Sequence, residues 1–411
     1  MERIRDRVAG LDVHRDFVTA CVRAFAAGKW TVVKERFATT MAGLTDLGEW
    51  LAGHGVSTVA MEATGVYWRP VYYRLEGFGF DELWLCNAHH VKNVPGRKTD
   101  MSDAEWLANV AAHGMVRPSF VPPPEFRALR ELTRSRKGFA HMRAREIQRL
   151  EKLLQDAGVK LTSVASGVWS QSSRDMVEAL IRGERDPKVL ASMAKSRLRS
   201  KIGQLQEALA SGFDTHHAVA CRHIIDHIDY LDATLASSSA EIARRVAPYE
   251  GAIELLCAIP GISRIVAEIV IAEIGVDMSR FPSAAHLCAW AGVAPGNWET
   301  GGRSRPAGTR HGSTWLRRAL VEAARSASRT TNSRLGARYR AIARRRGPNK
   351  AAVAVAHTML TIIWHVLSTG ETYEDLGPEY YERRNDPQRH ARQLAARIEK
   401  LGYTVTIEPA A

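Results

Sequence analysis

Residues 7–37 read RVAGLDVHRDFVTACVRAFAAGKWTVVKERF, and this stretch decides the fold of the N-terminal part of the chain. It contains three short runs rich in apolar and β-branched residues, at 7–13, 17–25 and 31–37, with Gly28 in the turn before the third run. Runs of this length, bounded by polar residues and glycine, predict β-strands. The chain therefore begins with three consecutive predicted strands.

Helices and strands alternate in the residues that follow. Leucines at helical spacing predict a helix over 39–53. A compact β-branched run at 56–61 and an apolar run at 82–86 predict two more strands, separated by a helix over 67–75. Strands interleaved with helices predict an α/β domain, a sheet layered with helices, over residues 1–121.

The composition is that of a folded and basic protein. Lys and Arg number 57 against 44 Asp and Glu in 411 residues, which gives a formal net charge of +13. Hydrophobic residues make up 45% of the chain, and this excludes wholesale disorder. A positive excess of this kind favours nucleic acid as a partner, with solvated basic faces as the plain alternative.

Two further features favour a cytoplasmic protein that has no membrane partner. The five cysteines are odd in number and form no C-x-x-C pair, which argues against a disulfide framework or a zinc knuckle and fits a reducing cytosol. The longest apolar run, 351–367, is short for a bilayer and contains His357 and His365. We therefore expect a buried helix there.

The residue pattern also divides the rest of the chain. Three consecutive prolines beginning at Pro122 predict a hinge after the first domain. Residues 122–249 are predicted to form two long helices, at about 126–161 and 200–247, that pair as an antiparallel hairpin or coiled coil, and the polar side of the first is dense in Arg and Lys. We expect a mostly α-helical domain at 250–346, interrupted by a Gly/Pro-rich loop, and a helical tail at 347–411.

Four acidic residues of the first domain stand where strand ends and a helix start would gather them. Asp12 lies at the tip of the first strand, Glu62 follows the fourth, and Asp100 and Asp103 lie three apart, which would place both on one face of a helix. Taken singly, such acids are typical of turn caps, exposed strand ends and helix N-caps. Together they predict a hard oxygen cage that suits two Mg²⁺ ions acting on a phosphodiester.

The segment LCAIPGIS at 256–263 is typical of a helix-hairpin-helix. In such a unit the backbone amides after the Pro-Gly turn can hold a phosphate oxygen, and Gly261 and Ser263 are the candidate residues. A tight turn between two core helices would have a similar sequence, so this alternative stays open.

The Gly-rich stretch 292–312 combines hydroxyl and basic side chains. It predicts a mobile loop that approaches a phosphate backbone closely, and a surface loop without chemistry is the alternative. The candidate nucleic-acid-binding residues are Arg97 and Lys98 in the first domain and, in or after this loop, Arg303, Arg305, Arg310, Arg317 and Arg318.

Five motifs carry a resemblance to a known family. They are LDVHRD at 11–16, AMEATGVYW at 60–68, KTDMSDAEWL at 98–107, CAIPGISRIVAEIVIAEIG at 257–275, and GVAP with HGSTWLRRALVEAA between 292 and 324. Through these motifs, in this order, the chain resembles the IS110 family of DEDD-type insertion-sequence transposases, also called bridge recombinases.

The resemblance implies an RNase H or RuvC-like N-terminal domain, a helical coiled-coil insertion and a C-terminal transposase domain with a helix-hairpin-helix. It implies that Asp12, Glu62, Asp100 and Asp103 bind the metal. It further implies recombination of donor and target DNA guided by a structured bridge RNA. The working form would be a homo-oligomer, a dimer of dimers, in which the RuvC-like domain of one subunit completes a site with the C-terminal domain of another.

The family places a serine nucleophile in the C-terminal domain, at a position where this chain has Thr300. A threonine hydroxyl can attack phosphorus, although its methyl group restricts χ1 and crowds the approach. Three hypotheses follow: Thr300 is the nucleophile, Ser304 replaces it, or this copy is inactive. Two other classes of protein share these features, a RuvC-like nuclease that hydrolyses branched DNA without a covalent step and a non-enzymatic nucleic-acid-binding protein.

Overall fold

The computed structural model of the chain describes residues 4–63, 65–95, 101–296, 298–300, 302–305, 308–309, 312–383 and 387–407. The chain divides into two compact units, Met1–Val121 and Pro122–Ala411. The first is an α/β unit and the second is mostly helical, as the sequence predicts. The predicted divisions after residues 249 and 346 stay predictions.

A five-stranded sheet forms the centre of the first unit, in the order β3-β2-β1-β4-β5. β2 pairs antiparallel with β1 and β3, whereas β1, β4 and β5 run parallel. All five strands predicted from the sequence are present. The elements of this unit are β1 (Arg7–Val13), β2 (Phe17–Ala26), β3 (Lys29–Ala38), α1 (Met41–Gly53), β4 (Thr58–Glu62), α2 (Trp68–Leu75), β5 (Glu82–Cys86), α3 (Ala88–Lys92) and α4 (Asp103–Ala112).

Helices cover both faces of this sheet because successive residues of its inner strands are apolar. On one face, Leu11 and Met61 belong to a buried cluster with Leu47 of α1. On the other face, Ala60 packs in a second cluster with Leu107 of α4. The sheet is thus the middle of three layers.

The position of α4 on the sheet depends on Gly10. A Cβ atom at Gly10 would lie 2.1 Å from the carbonyl oxygen of Ala104 and 2.5 Å from the amide nitrogen of Ala108, so only glycine allows this approach. At the other end of α4, the carbonyl of Ala112 accepts a hydrogen bond of 3.0 Å from the amide of Ile4, just before β1. α4 therefore crosses β1 in the antiparallel direction, with its N-terminus towards the end of that strand.

Two long helices, α5 (Pro124–Asp156) and α9 (Thr215–Val246), run antiparallel in the second unit. Their contacts run in opposite order along the two helices: His217 lies 3.8 Å from Asp156, and Arg143 pairs with Asp232 nearer the other end. The sequence predicts a single helix over 200–247, but the structure has a break between α8 (Ile202–Leu209) and α9. The antiparallel pairing is as predicted, and the coiled coil stays a prediction.

The remaining elements of the second unit are mostly helices. The apolar cluster between α5 and α9 also takes in side chains of the helices that connect them. The elements are α6 (Gln171–Ile181), α7 (Pro187–Ser192), α10 (Glu250–Cys257), α11 (Arg264–Ile274), α12 (Ala284–Trp290), β6 (Trp298–Thr300), β7 (Arg303–Arg305), α13 (Thr314–Ala327), α14 (Arg334–Arg346), α15 (Pro348–Thr369), α16 (Tyr380–Arg383) and α17 (Pro387–Glu399).

Helix α15 is the apolar run of the sequence. By length and composition it could cross a membrane. In the structure it packs against α10, α12, α13 and α14, and its buried residues include Val355, Met359 and Ile363. The indole nitrogen of Trp364 donates to the carbonyl of Phe281 at 3.1 Å. The prediction of a buried helix is confirmed.

We predict that Gly10→Ala destabilises the protein by about 1–3 kcal/mol, because the added methyl group overpacks the backbone of α4. The measurement is the urea midpoint of unfolding. Gly53→Ala is the matched control: Gly53 ends α1 and has no atom within 4 Å of its Cβ position, so the midpoint should stay or rise. Equal midpoints for Gly10→Ala and the unmodified protein would contradict the close approach of α4.

Candidate catalytic site and nucleic-acid interface

Asp12 and Glu62 lie next to each other at the carboxyl ends of two parallel strands. The register of β1 and β4 pairs Leu11 with Met61, and Asp12 and Glu62 are the next residue on each strand. Side chains alternate along a strand, so both acids lie on the face that carries Gly10 and is covered by α4. The predicted proximity of these two acids is supported by the strand register.

Asp103 is the first residue of α4, which begins there because Ser102 is its N-cap and accepts from the amide of Glu105 at 3.4 Å. Since α4 runs antiparallel to β1, Asp103 lies towards the end of the strand that Asp12 occupies. Glu105 faces the other side of α4, where it pairs with Lys34 at 2.7 Å and Arg23 at 3.7 Å. Asp103 precedes Glu105 by two residues, which is a rotation of about 200° around the helix axis. The Asp103 side chain therefore points away from Lys34 and Arg23.

The expectation that Asp100 and Asp103 share one helix face is wrong, because the helix begins only at Asp103. Asp100 itself lies outside the described residues, as do Arg97 and Lys98. The alternative in which Asp103 caps the helix is also wrong, because Ser102 occupies the N-cap position.

Two side chains near this sheet edge interact with its carboxylates, His14 with Asp12 and Cys86 with Glu62. Asp12 is a partner of His14, with 3.1 Å between its Oδ2 and Nε2 of the ring. Burial, and after it the negative charge of Glu62, raises the pKa of the Cys86 thiol to about 12. Glu62 is close because it pairs with Cys86 in the register of β4 and β5. With this raised pKa, the thiol stays neutral at physiological pH.

The chemistry of this donor set suits a hard divalent cation, because carboxylate oxygens are the ligands that Mg²⁺ takes in proteins. Among the described residues, no three acidic, histidine or cysteine side chains stand close enough together to hold a metal ion. The strand register and the direction of α4 thus bring Asp12, Glu62 and Asp103 towards one edge of the sheet, and Asp100 lies outside the described residues.

In the second unit, the Gly-rich stretch forms a β-hairpin, where the sequence predicts an irregular loop. β6 and β7 pair antiparallel, with Thr300 opposite Arg303 and Glu299 opposite Ser304. Gly302, with φ +72°, lies in the turn between them. For Thr300, Ser304, Arg303 and Arg305 the structure describes the backbone alone, and Arg310 lies outside the described residues.

The two ends of this hairpin segment are held together. The amide of Gly296 donates to the carbonyl of Gly308 at 2.8 Å, and the amide of Ser313 donates to the carbonyl of Trp290 at 3.3 Å. A Cβ atom at Gly312 would lie 2.3 Å from the amide nitrogen of Gly292. The segment that carries Thr300 therefore leaves the helical core and returns to it at one place.

The end of the hairpin segment, at Ser313, is hydrogen-bonded to a buried carboxylate. Glu273 of α11 is fully buried and accepts two hydrogen bonds from Arg134 of α5, at 2.8 and 2.9 Å. Arg130 lies 3.5 Å from the same carboxylate. Ser313, the N-cap of α13, donates to it at 3.2 Å. One acid thus joins α5, α11 and the start of α13.

Several of the basic side chains of α5 form ion pairs with carboxylates of α11. Besides Arg130 and Arg134, the buried Arg136 lies 2.7 Å from the buried Glu268 of α11. Sequence reasoning missed Glu268 and Glu273, although two acids within the apolar run IVAEIVIAEI were a signal that could have found them. The polar side of α5 is therefore largely an internal surface at this end of the helix.

The predicted helix-hairpin-helix corresponds to α10, a turn and α11. Gly261 has φ +91°, and its Cα faces α13, where a Cβ atom would lie 2.4 Å from the carbonyl of Ala323. This packing explains the glycine. Ser263 is the exposed N-cap of α11. Phosphate binding at this turn stays a prediction, as does phosphate binding by Arg317 and the exposed Arg318.

Comparison with known proteins identifies the class. A transposase family model, the DEDD transposase of IS110, matches residues 9–158, and a second, described as "Transposase IS116/IS110/IS902 family", matches residues 253–340. A "Probable family 20 transposase" of Pseudomonas aeruginosa is 26% identical over 321 residues, covering 77% of this chain and 85% of that protein. The "Transposase for insertion sequence element IS1111A" of Coxiella burnetii is 24% identical over 379 residues, covering 89% of this chain and 91% of that protein.

These matches define a DNA transposase, an enzyme whose substrate is DNA. The DEDD domain coincides with the sheet and its acidic edge and extends into α5, and the second matched region contains α11, the hairpin and α13. The chain belongs to the IS110 family of insertion-sequence transposases, as its motifs indicate.

We predict that Glu273→Ala destabilises the protein by about 3–5 kcal/mol, because it removes the buried carboxylate that the half-buried Arg130 and Arg134 share and leaves both without it. The measurement is again the urea midpoint. The control is Glu241→Ala on α9, which removes a carboxylate paired with the exposed Arg244 and Arg245 and should leave the midpoint almost unchanged. A small effect at Glu273, similar to that at Glu241, would show that the buried network does not hold the second unit together.

Proposed function

We propose that this transposase moves an insertion sequence by metal-assisted cleavage and exchange of DNA strands, through a covalent link between a protein hydroxyl and the DNA. The observation that carries the proposal is the register of β1 and β4, which sets Asp12 beside Glu62 at one sheet edge, towards which α4 directs Asp103. Membership of a DEDD transposase family supports the use of a divalent metal.

Asp12, Glu62 and Asp103 would hold divalent cations together with Asp100, and Mg²⁺ fits their oxygen donors. When bound, such cations activate an attacking hydroxyl and stabilise the oxygen that leaves phosphorus. The carboxylates themselves serve to hold these charges at the sheet edge. His14, hydrogen-bonded to Asp12, orients that carboxylate.

The covalent step is a transesterification at phosphorus. The hydroxyl oxygen of Thr300 forms a bond to the phosphorus atom and loses its proton, while the bond from phosphorus to one bridging oxygen of the strand breaks and that oxygen is protonated. A hydroxyl of the second strand then attacks the same phosphorus and releases the threonine. No oxidant or energy carrier is needed, because each phosphodiester bond that breaks is replaced by another.

Thr300 is our first choice of nucleophile because it stands at the position where the family has a serine. Its place beside the turn of a hairpin supports this choice, since Gly302 in that turn is exposed. Ser304, four residues further along the hairpin, is the alternative nucleophile. The third hypothesis is a copy that binds nucleic acid without reacting.

The guide RNA and the oligomer also belong to this proposal. A structured bridge RNA would supply the choice of sequence by base pairing, so the protein would contact mainly phosphates and shape. The expected working form is a dimer of dimers. Mass photometry of the protein, with and without the RNA transcribed from the element's edge, measures the oligomeric state and the binding of the RNA. A monomer in both measurements would contradict the dimer of dimers.

We predict that Thr300→Val abolishes the covalent adduct between the protein and a DNA substrate in Mg²⁺, because valine keeps the shape of threonine and lacks its hydroxyl. The adduct is detected on a denaturing gel and mapped by mass spectrometry. Thr309→Val is the matched control, since it removes a hydroxyl from the other side of the same segment and should leave the adduct intact.

The outcomes separate the hypotheses. Loss of the adduct in Ser304→Ala and its persistence in Thr300→Val would move the nucleophile to Ser304. Cut DNA without any adduct would indicate the hydrolytic nuclease. Bound but uncut DNA, with no adduct, would indicate an inactive nucleic-acid-binding relative.

We predict that Asp12→Asn lowers the rate of strand cleavage about 1000-fold or more, because loss of a metal ligand removes several kcal/mol of transition-state stabilisation. DNA affinity measured in EDTA should be unchanged. Asp16→Asn is the control, because Asp16 is an exposed acid of the same segment whose partner is Arg15. Equal cleavage by both variants would remove Asp12 from the site.

A further inference from the structure

A long stretch of the second unit contains basic residues and no acid. Between Glu322 and Glu371 the sequence has no Asp or Glu, and it contains nine Arg and Lys. These nine charges stand against a net charge of +13 for all 411 residues. Most of the positive excess of the chain is therefore concentrated in the segment that forms the end of α13, α14 and α15.

Three of the nine cations serve the fold. Arg334 lies over the ring of Tyr380 at 3.9 Å, and Arg338 lies over Tyr381 at 5.0 Å. Arg340 donates to backbone carbonyls just after α13, among them that of Thr331 at 2.8 Å. These three arginines hold α14 against its neighbours. Their guanidinium groups are therefore less available for binding a partner than the other six cations.

Five of the remaining cations meet at one corner. α14 ends at Arg346, Gly347 turns the chain with φ +83°, and α15 begins at Pro348. Arg325 of α13 reaches this corner, where its guanidinium donates to the side chain of Asn349 at 3.1 Å. We call the following five exposed residues the basic corner: Arg325, Arg344, Arg345, Arg346 and Lys350.

Nothing in the described part of the chain neutralises the basic corner. None of its five residues forms an ion pair with a described carboxylate, in contrast to the arginines at the end of α9, where Glu241 pairs with both Arg244 and Arg245. No acid occupies the first turn of α15 either.

The favourable interaction of cations with a helix C-terminus accounts for part of this arrangement. Arg344, Arg345 and Arg346 lie in the last turn of α14, where a positive charge is worth about 0.3–1 kcal/mol. Lys350 lies in the first turn of α15, where the helix dipole opposes a positive charge. Arg325 belongs to a third helix. Like charges from three helices thus lie near one junction, and helix stability favours only the three on α14.

We infer that the basic corner binds the phosphate backbone of double-stranded DNA without reading its bases. A duplex carries one negative charge per about 1.7 Å of its axis, which suits a compact group of five exposed cations. The aromatic residue at this junction, Tyr339, is half-buried and donates its hydroxyl to the carbonyl of Pro348 at 3.3 Å, so it does not offer the exposed ring on which the bases of single-stranded nucleic acid stack. The inference rests on the proposed function only in naming DNA as the polyanion.

The test compares two double variants of the full-length protein. Arg344→Gln with Arg345→Gln removes two adjacent charges from the last turn of α14. Arg244→Gln with Arg245→Gln removes two adjacent charges from the last turn of α9, where Glu241 already offsets them. The probe is a duplex of arbitrary sequence, and its Kd is measured by fluorescence anisotropy in EDTA between about 50 and 200 mM salt.

In the corner variant, we expect the slope of log K against log salt to fall by about 2 and the Kd to rise about 10- to 100-fold near 0.1 M salt, since each phosphate contact contributes about 0.9 to the slope. The α9 variant should keep the slope of the unmodified protein. Equal slopes for all three proteins, or the same loss in both variants, would overturn the inference.

Two arms keep the result decisive. If the corner variant fails to fold, judged by its unfolding midpoint, Lys350→Gln replaces it with an expected slope change of about 1. A slope change seen on an RNA duplex of the same length and absent on DNA would also overturn the assignment. Asp12→Asn should keep the full slope, so loss of strand exchange in that variant tests the proposed function separately.

Discussion

The second unit depends on the buried carboxylate of Glu273. A carboxylate without water is tolerated only where cations and hydrogen-bond donors surround it. Here the donors come from two arginines of α5 and from the residue that caps α13. Because these partners lie on different elements, the requirement to solvate one charge sets the positions of α5, α11 and α13 together. The hairpin with Thr300 and Ser304 returns to the core at the same point.

The first unit depends on a steric constraint in place of a charge. Gly10 lets the backbone of α4 touch β1, and this contact directs the N-terminus of α4 towards the strand end that bears Asp12. The acids at that edge come from three separate segments of the chain. Their common location is thus a consequence of parallel register and of one missing side chain, and no single motif contains it.

The sequence predicts those parts of the structure that depend on local patterns. β1 and β5 have the predicted bounds because a short apolar run is a local signal, and Asp12 and Glu62 were found because they lie at the ends of such runs. The shared helix face expected for Asp100 and Asp103 was wrong because α4 begins only at Asp103, after its N-cap Ser102.

Long-range pairing was the part that the sequence could not reveal. The arginines of α5 have the spacing of a solvated basic face, yet their partners on α11 lie more than 130 residues further along the chain. Only the folded structure shows that these charges are internal. It also shows that the basic corner, formed by residues of α13, α14 and α15 that the motifs do not single out, is exposed and has no carboxylate partner among the described residues.

The contact between the two ends of the hairpin segment affects the conformational entropy that the proposed reaction must overcome. Bringing together the ends of a flexible loop of 20 residues costs about 2–3 kcal/mol beyond a constant contribution. In this protein Gly292 and Gly312 are already in contact, so folding of the second unit meets that cost. If a hydroxyl of this hairpin is the nucleophile, as we propose, this part of the ordering cost is met before DNA binds, and the free energy of DNA binding remains available for distorting the strands.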